Sequence, residues 1–105
     1  MDPKFFNFLG LCRKAGRFSG GHDAAFESIV QGKAKACYLT ADASERLKKE
    51  FRETTVYQGR AVPLTELPCS MKERELQIGK RTAVFTVDDD GFAAKLNELL
   101  SKEDR

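Results

Sequence analysis

Gly20-Gly21, with Arg13, Lys14 and Arg17 a turn or two upstream, has the makings of a phosphate cradle. Paired glycines let a backbone approach a ligand closely, and a helix beginning near His22 presents free N–H groups and the positive end of its dipole. The same residues would equally make an ordinary turn and a solvated helix start, and residue types alone leave the two readings level. Catalytic chemistry has thinner support. His22-Asp23 could begin a metal-dependent phosphate site, but such a site needs several more His and Asp ligands, and the chain has 1 histidine. Asp88-Asp89-Asp90 lacks the alternate-position ligands of a calcium loop and has Leu99 where that loop needs its bidentate Glu, so the run reads as a solvated helix cap. Gly20-Gly21 fits neither a dinucleotide fingerprint nor a nucleotide-triphosphate loop. Cys12 could serve as a nucleophile only with His22 beside it, and its position in an apolar helical pattern argues for a core thiol instead. The expectation is a binding protein without catalysis, metal, cofactor or small-molecule substrate.

Charge distribution points to the same third of the chain. The net charge is only +2, but residues 1–36 carry Lys4, Arg13, Lys14, Arg17, Lys33 and Lys35 against Asp2, Asp23 and Glu27. The remainder is balanced, so a polyanion site belongs in the first third, supplemented by Lys80-Arg81. At 105 residues, with 41% apolar and 32% charged residues and no linker-like stretch, residues 1–105 read as a single domain with disorder confined to the last few positions. No apolar run reaches membrane-spanning length and MDPKFF does not resemble a secretion signal, so the expected location is cytoplasmic. Cys12, Cys37 and Cys69 are odd in number and far apart, which fits reduced, buried thiols.

The elements that must position these residues alternate between helix and strand. Asp2-Pro3 starts a helix with Phe5, Leu9 and Cys12 on one face and Phe8 beside them, and Gly16 ends it. A short extended piece at Arg17-Phe18 leads into a turn at Ser19-Gly20-Gly21. The helix that follows has Ala25, Phe26, Ile29 and Val30 as its apolar face and stops at Gly32. Ala36 to Thr40 reads as a strand, and Asp42 with Glu45 as the cap of a helix burying Leu47 and Phe51. Beyond a turn near Gly59, Arg60 to Leu64 is a short strand candidate, with Pro63 at its end or on an edge. Ser70 and Glu73 cap a polar helix to Ile78, and TAVFTV at Thr82 to Val87 makes a central strand. A last helix, opened by Asp88-Asp89-Asp90-Gly91, buries Phe92, Leu96, Leu99 and Leu100. The alternation predicts a layered α/β domain around a small parallel or mixed sheet.

Taken in order, LGLCRKAG at 9–16, SGGHD at 19–23, QGKAKACYLTADAS at 31–44, IGKRTAVFTV at 78–87 and GFAAKL at 91–96 resemble the ribosomal protein L-seven-Ae / L-thirty-e family, most closely its small bacterial members. The resemblance spans nearly the whole chain. It implies a three-layer α-β-α sandwich with a four-stranded mixed sheet. It also implies a non-enzymatic, ribosomal or ribosome-associated protein that binds structured RNA, typically a kink-turn or a site in ribosomal RNA. Carried over by position, the family's contacts fall on Gly20, Gly21, His22, Asp23 and Glu27, on Ala41 and Asp42, and on Gly79, Lys80, Arg81 and Thr82. Kink-turn readers in the family carry an Asn-Glu pair at the helix start and a Lys one turn on. Counting back from Gly32, this chain has Asp23, Ala24 and Glu27 there. That exchange keeps open an alternative, a protein-interaction or regulatory module on the same fold that has lost kink-turn binding.

Overall fold

A computed structural model describes residues 3–70 and 82–103. Helix α1 (Pro3–Lys14) is followed by β1 (Phe18–Gly20), α2 (His22–Val30), β2 (Ala36–Leu39) and α3 (Glu45–Thr54). A 3-10 turn at Tyr57–Gly59 then leads to β3 (Leu64–Glu66), β4 (Val84–Val87) and α4 (Asp90–Glu103). The sheet order is β1-β4-β2-β3, with β4 antiparallel to both neighbours and β2 parallel to β3. This is the expected mixed four-stranded sheet. The polar helix expected from Ser70 to Ile78 and the Asp2 cap lie outside the described residues, apart from Ser70 itself.

Side-chain alternation on the two central strands generates the three layers. Ala36 and Tyr38 of β2 join Phe85 and Val87 of β4 in a core with Phe5, Leu9 and Cys12 of α1 and Leu96 of α4. Cys37, Leu39 and Val84 face the other way, onto Ala25 and Ile29 of α2 and Phe51 of α3. Both β2 and β4 are buried along their length, as a sheet covered on two sides requires. Tyr38 keeps its ring in the first core, stacked on Phe85 at 5.2 Å, and satisfies its hydroxyl by donating to Asn97 Oδ1 at 2.8 Å.

Several local expectations are corrected. Ser19 and Gly20 are strand residues rather than turn: Phe18, Ser19 and Gly20 pair with Val87, Thr86 and Phe85. The third strand begins at Leu64, where the sequence reading ended it, because Pro63 serves only as an acceptor, its carbonyl taking the Cys37 N–H at 2.9 Å. Ser44, not Asp42, caps α3, accepting from the Leu47 N–H at 3.1 Å. On α2 the buried face is Ala25, Ser28 and Ile29, while Phe26 and Val30 are 41% and 46% exposed.

Ser28 is buried because it has a partner 60 residues away. The Asp88 carboxylate accepts from Ser19 Oγ and Ser28 Oγ, each at 2.6 Å, and from Thr86 Oγ1 at 2.8 Å. Its backbone N–H donates to the Arg17 carbonyl at 2.8 Å. Asp88 is therefore a tie between β1, α2 and β4 rather than part of a solvated cap. The capping falls to Asp89, whose Oδ2 accepts from the Phe92 N–H at 2.9 Å.

The three cysteines are free and buried. Burial pushes the Cys12 and Cys37 thiols up to about 12, so neither holds a thiolate at neutral pH. Cys12 donates to the Arg17 carbonyl at 3.1 Å, which gives it a structural use.

Two outcomes follow from this packing. Asp88→Ala leaves three hydroxyls without their acceptor and should lower unfolding stability by about 2–4 kcal/mol in urea titrations, with Asp88→Asn intermediate. A thiol reagent under native conditions should label none of Cys12, Cys37 and Cys69 quickly, and all three once urea passes the unfolding midpoint.

Candidate nucleic-acid interface

Antiparallel pairing of β4 with both neighbours brings the end of β1, the end of β2 and the start of β4 to one end of the sheet. The register places Gly20 opposite Phe85 and Leu39 opposite Val84. Gly21 donates its N–H to the Val84 carbonyl at 2.9 Å, and Thr40 donates to the Ala83 carbonyl at 2.9 Å. Ala41 donates to the Cys69 carbonyl at 2.9 Å, which fixes the loop after β2 beside the one after β3. His22, Asp23, Ala41, Asp42 and Thr82, separated by up to 60 positions in the sequence, thus gather at this end. Gly79, Lys80 and Arg81 lie outside the described residues.

The two glycines at this site do different work. Gly21 has φ +95°, in the region glycine favours, and turns the chain from β1 into α2. Gly20 is needed for packing, since a Cβ there would lie 2.7 Å from Cε1 of Phe18, whose ring stacks on Phe85 at 5.3 Å. No side chain caps the first turn of α2, so its backbone donors face outward as a phosphate cradle requires. Thr82 is buried, and its hydroxyl has no hydrogen-bond partner among the described residues.

The side chains around that helix start are acidic. His22 Nδ1 lies 2.9 Å from Asp23 Oδ1, and Nε2 lies 2.7 Å from Glu50 Oε2 on α3. Two carboxylates can each receive a proton only from the imidazolium, and the hydrogen bond to Glu50, with that to Asp23, raises the His22 pKa above its ordinary 6.5. The ring is held by an edge contact with Phe51 at 5.6 Å and lies parallel to Phe26. One turn on, Glu27 accepts from Gln31 Nε2 at 3.0 Å. Lys48 lies near this end but is committed inward, to the Ala41 carbonyl at 3.3 Å and the Glu66 carboxylate at 3.4 Å.

Arg13, Lys14 and Arg17 do not join this cradle. Arg17 sits at the start of β1, opposite Asp88, and β1 carries the chain away from it to Gly21. Proximity in sequence misled here because the intervening residues form an extended strand rather than a turn. Among the described residues no cluster of His, Cys, Asp and Glu could hold a metal ion, and no helix is long and apolar enough to cross a membrane.

The His22–Glu50 contact has a defined pH window. Because the folded pKa is raised, its stabilisation is full below about pH 6.5 and is lost as pH rises through the folded value. Both groups are partly exposed, so His22→Gln should cost only a few tenths to about 1 kcal/mol in acid and nothing at high pH. An NMR titration of the one histidine should show a pKa above 6.5 that falls towards it in Glu50→Gln.

The chain has relatives among known proteins over most of its length. The chain is 35% identical over 101 residues to the RNA-binding protein YlxQ of Enterococcus faecium, covering 92% of this chain and 91% of that protein. It is 34% identical over 98 residues to the RNA-binding protein YlxQ of Bacillus subtilis (strain 168), covering 92% and 95%. A solved structure of a protein of unknown function from Bacillus halodurans C superposes with a TM-score of 0.83 at 25% identity, over 95% of this chain and 99% of that one. The Giardia lamblia 15.5kD RNA binding protein shares the fold, with a TM-score of 0.70 at 16% identity, over 97% and 89%. No family model matches the chain. With the mixed four-stranded sheet as expected and relatives aligned nearly end to end, the chain belongs to the bacterial YlxQ branch of the L-seven-Ae / L-thirty-e family.

Proposed function

We propose that this protein binds structured RNA without catalysing a reaction, as a cytoplasmic, ribosome-associated component, and that it grips the RNA at the end of the sheet where α2 begins. The observation that carries the reading is the convergence of three segments on one end: the uncapped start of α2, the Ala41-Asp42 loop and the approach to β4. The names of the two YlxQ relatives support it. Backbone N–H groups at His22 and Asp23 meet phosphate, and Lys80 and Arg81, adjacent in sequence to Thr82, add positive charge to the contact. Asp23 and Glu27 act against a phosphate, so recognition rests on shape and backbone more than on base edges.

A filter-binding titration against kink-turn RNA and total ribosomal RNA tests this. Binding should be micromolar or tighter and weaken steeply with salt, and Lys80→Ala with Arg81→Ala should flatten the salt dependence by about two units of slope. Replacing Asp23 by Asn and Glu27 by Lys should tighten kink-turn binding roughly three- to tenfold, the scale expected for charge changes beside a helix start. No binding to either RNA at low salt would sink the reading in favour of the protein-interaction module.

A further inference from the structure

The opposite end of the sheet gathers cations from separate segments. Arg13 and Lys14 close α1, Arg17 precedes β1, and Lys33 and Lys35 precede β2; all five are exposed. The backbone ladder brings them together. Gly16 donates to the Arg13 carbonyl and Arg17 to the Cys12 carbonyl, each at 3.1 Å, which folds Arg17 under the end of α1. Asp88 donates to the Arg17 carbonyl and Lys35 to the Val87 carbonyl, both at 2.8 Å, so Arg17 and Lys35 flank the end of β4 from either side. Two strand spacings of about 4.8 Å separate their backbones. Arg60 adds a sixth cation, lining with Lys35 and Asp90 a shallow depression of about 360 Å³.

None of Arg13, Lys14, Arg17, Lys33 and Lys35 has an ion-pair partner among the described residues. Acids are present at this end, and two of them are engaged. Asp88 is held by three hydroxyls and Asp89 by the Phe92 N–H, which leaves Asp90 as the exposed acid beside Lys35 and Glu27, which accepts from Gln31, beside Lys33. Arg13 and Lys14 could be explained as partners of the negative end of α1. Arg17 follows the end of α1 and Lys33 that of α2, each donating its N–H to a last-turn carbonyl, whereas no helix ends at Lys35.

From this geometry we infer a second RNA contact, in which Arg13, Arg17, Lys33 and Lys35 grip the phosphate backbone of a neighbouring strand or helix of the same RNA. The inference rests on the reading of the protein as RNA-binding, and it adds a face on the far side of the sheet from the start of α2. The chemistry is that of backbone, not bases: the segments that carry the first five cations have no exposed aromatic residue, the exposed Tyr57 ring lying under Arg60 at 6.0 Å. It also lacks the apolar stripe of a membrane-surface helix, Leu11 being the one exposed large apolar residue on these segments. Together with the contact at the start of α2, it would let the protein clamp two backbone segments across a fold in the RNA.

Binding of a labelled kink-turn RNA, measured over a range of salt, tests the inference with the triple variant Arg13→Gln, Arg17→Gln, Lys35→Gln. The triple should bind at least about tenfold more weakly and flatten the salt slope by roughly two to three, while the corresponding Arg→Lys pair alone should bind as the original protein does. Amine acetylation of the unaltered protein gives an independent readout: bound RNA should protect Lys14, Lys33 and Lys35 and leave Lys95 on α4 reactive. An unchanged salt slope in a folded triple variant, or equal acetylation with and without RNA, overturns the inference. So does competition by polyglutamate or acidic phospholipid vesicles as effective as that by RNA of equal charge. The two faces fail separately. Loss of binding in Lys80→Ala, Arg81→Ala alone leaves the α2 end as the site and removes this one; loss in the triple alone does the reverse; no binding by the original protein removes both.

Discussion

The carboxylate of Asp88 closes the structure. It sits one residue beyond the central strand β4 and takes hydroxyl protons from an edge strand, from α2 and from β4 itself, while its own N–H pins the residue before β1. A carboxylate has about four lone-pair sites, and three short hydroxyl contacts use most of them, so this acid is satisfied without any cation. Its effect is orientational. With α2 tied by Ser28 to the far end of β4, the helix cannot slide along the sheet, and its first turn is held beside Val84, where the three loops meet.

This arrangement divides the molecule electrostatically. At the start of α2 the carboxylates of Asp23, Glu50 and Glu66 lie close by, and His22 and Lys48 are turned onto them. At the other end, five exposed cations are unpaired among the described residues, Asp88 and Asp89 are engaged with donors of their own, and Asp90 is the exposed acid beside Lys35. A net charge of +2 conceals this polarity. Partner choice depends on the local field rather than the sum, because surface charges more than about 8–10 Å apart are largely screened from each other at physiological salt.

Much of the fold was legible because it is written in short-range periodicity. Phe5, Leu9 and Cys12 at helical spacing, the apolar run at Val84 to Val87, and glycines at 16 and 32 define α1, β4 and two helix ends without reference to anything distant. What was not legible depends on long-range contacts. Phe26 and Val30 have core-like character but are left exposed, while Ser28 is buried because an acid 60 residues away receives its proton. The candidate site divides along the same line. The turn of Gly21 and the helix start were visible in the sequence, whereas the His22–Glu50 contact spans 28 residues and the separation of Arg17 from Gly21 depends on β1 being a strand. No local signal carries either.

The strand order has a consequence for how the chain comes together. β4 lies between β1 and β2 yet is the last strand to be synthesised, so its pairing with Phe18 joins positions 69 residues apart. Until it inserts, neither β1 nor β2 has its antiparallel neighbour, and both present open backbone edges of the kind that recruit strands from other chains. Such non-local closure is slow relative to helix formation. During synthesis, α1 to β3 therefore wait with an unfilled slot at the centre of the sheet, and stoppage before residue 84 leaves a fragment disposed to associate rather than fold.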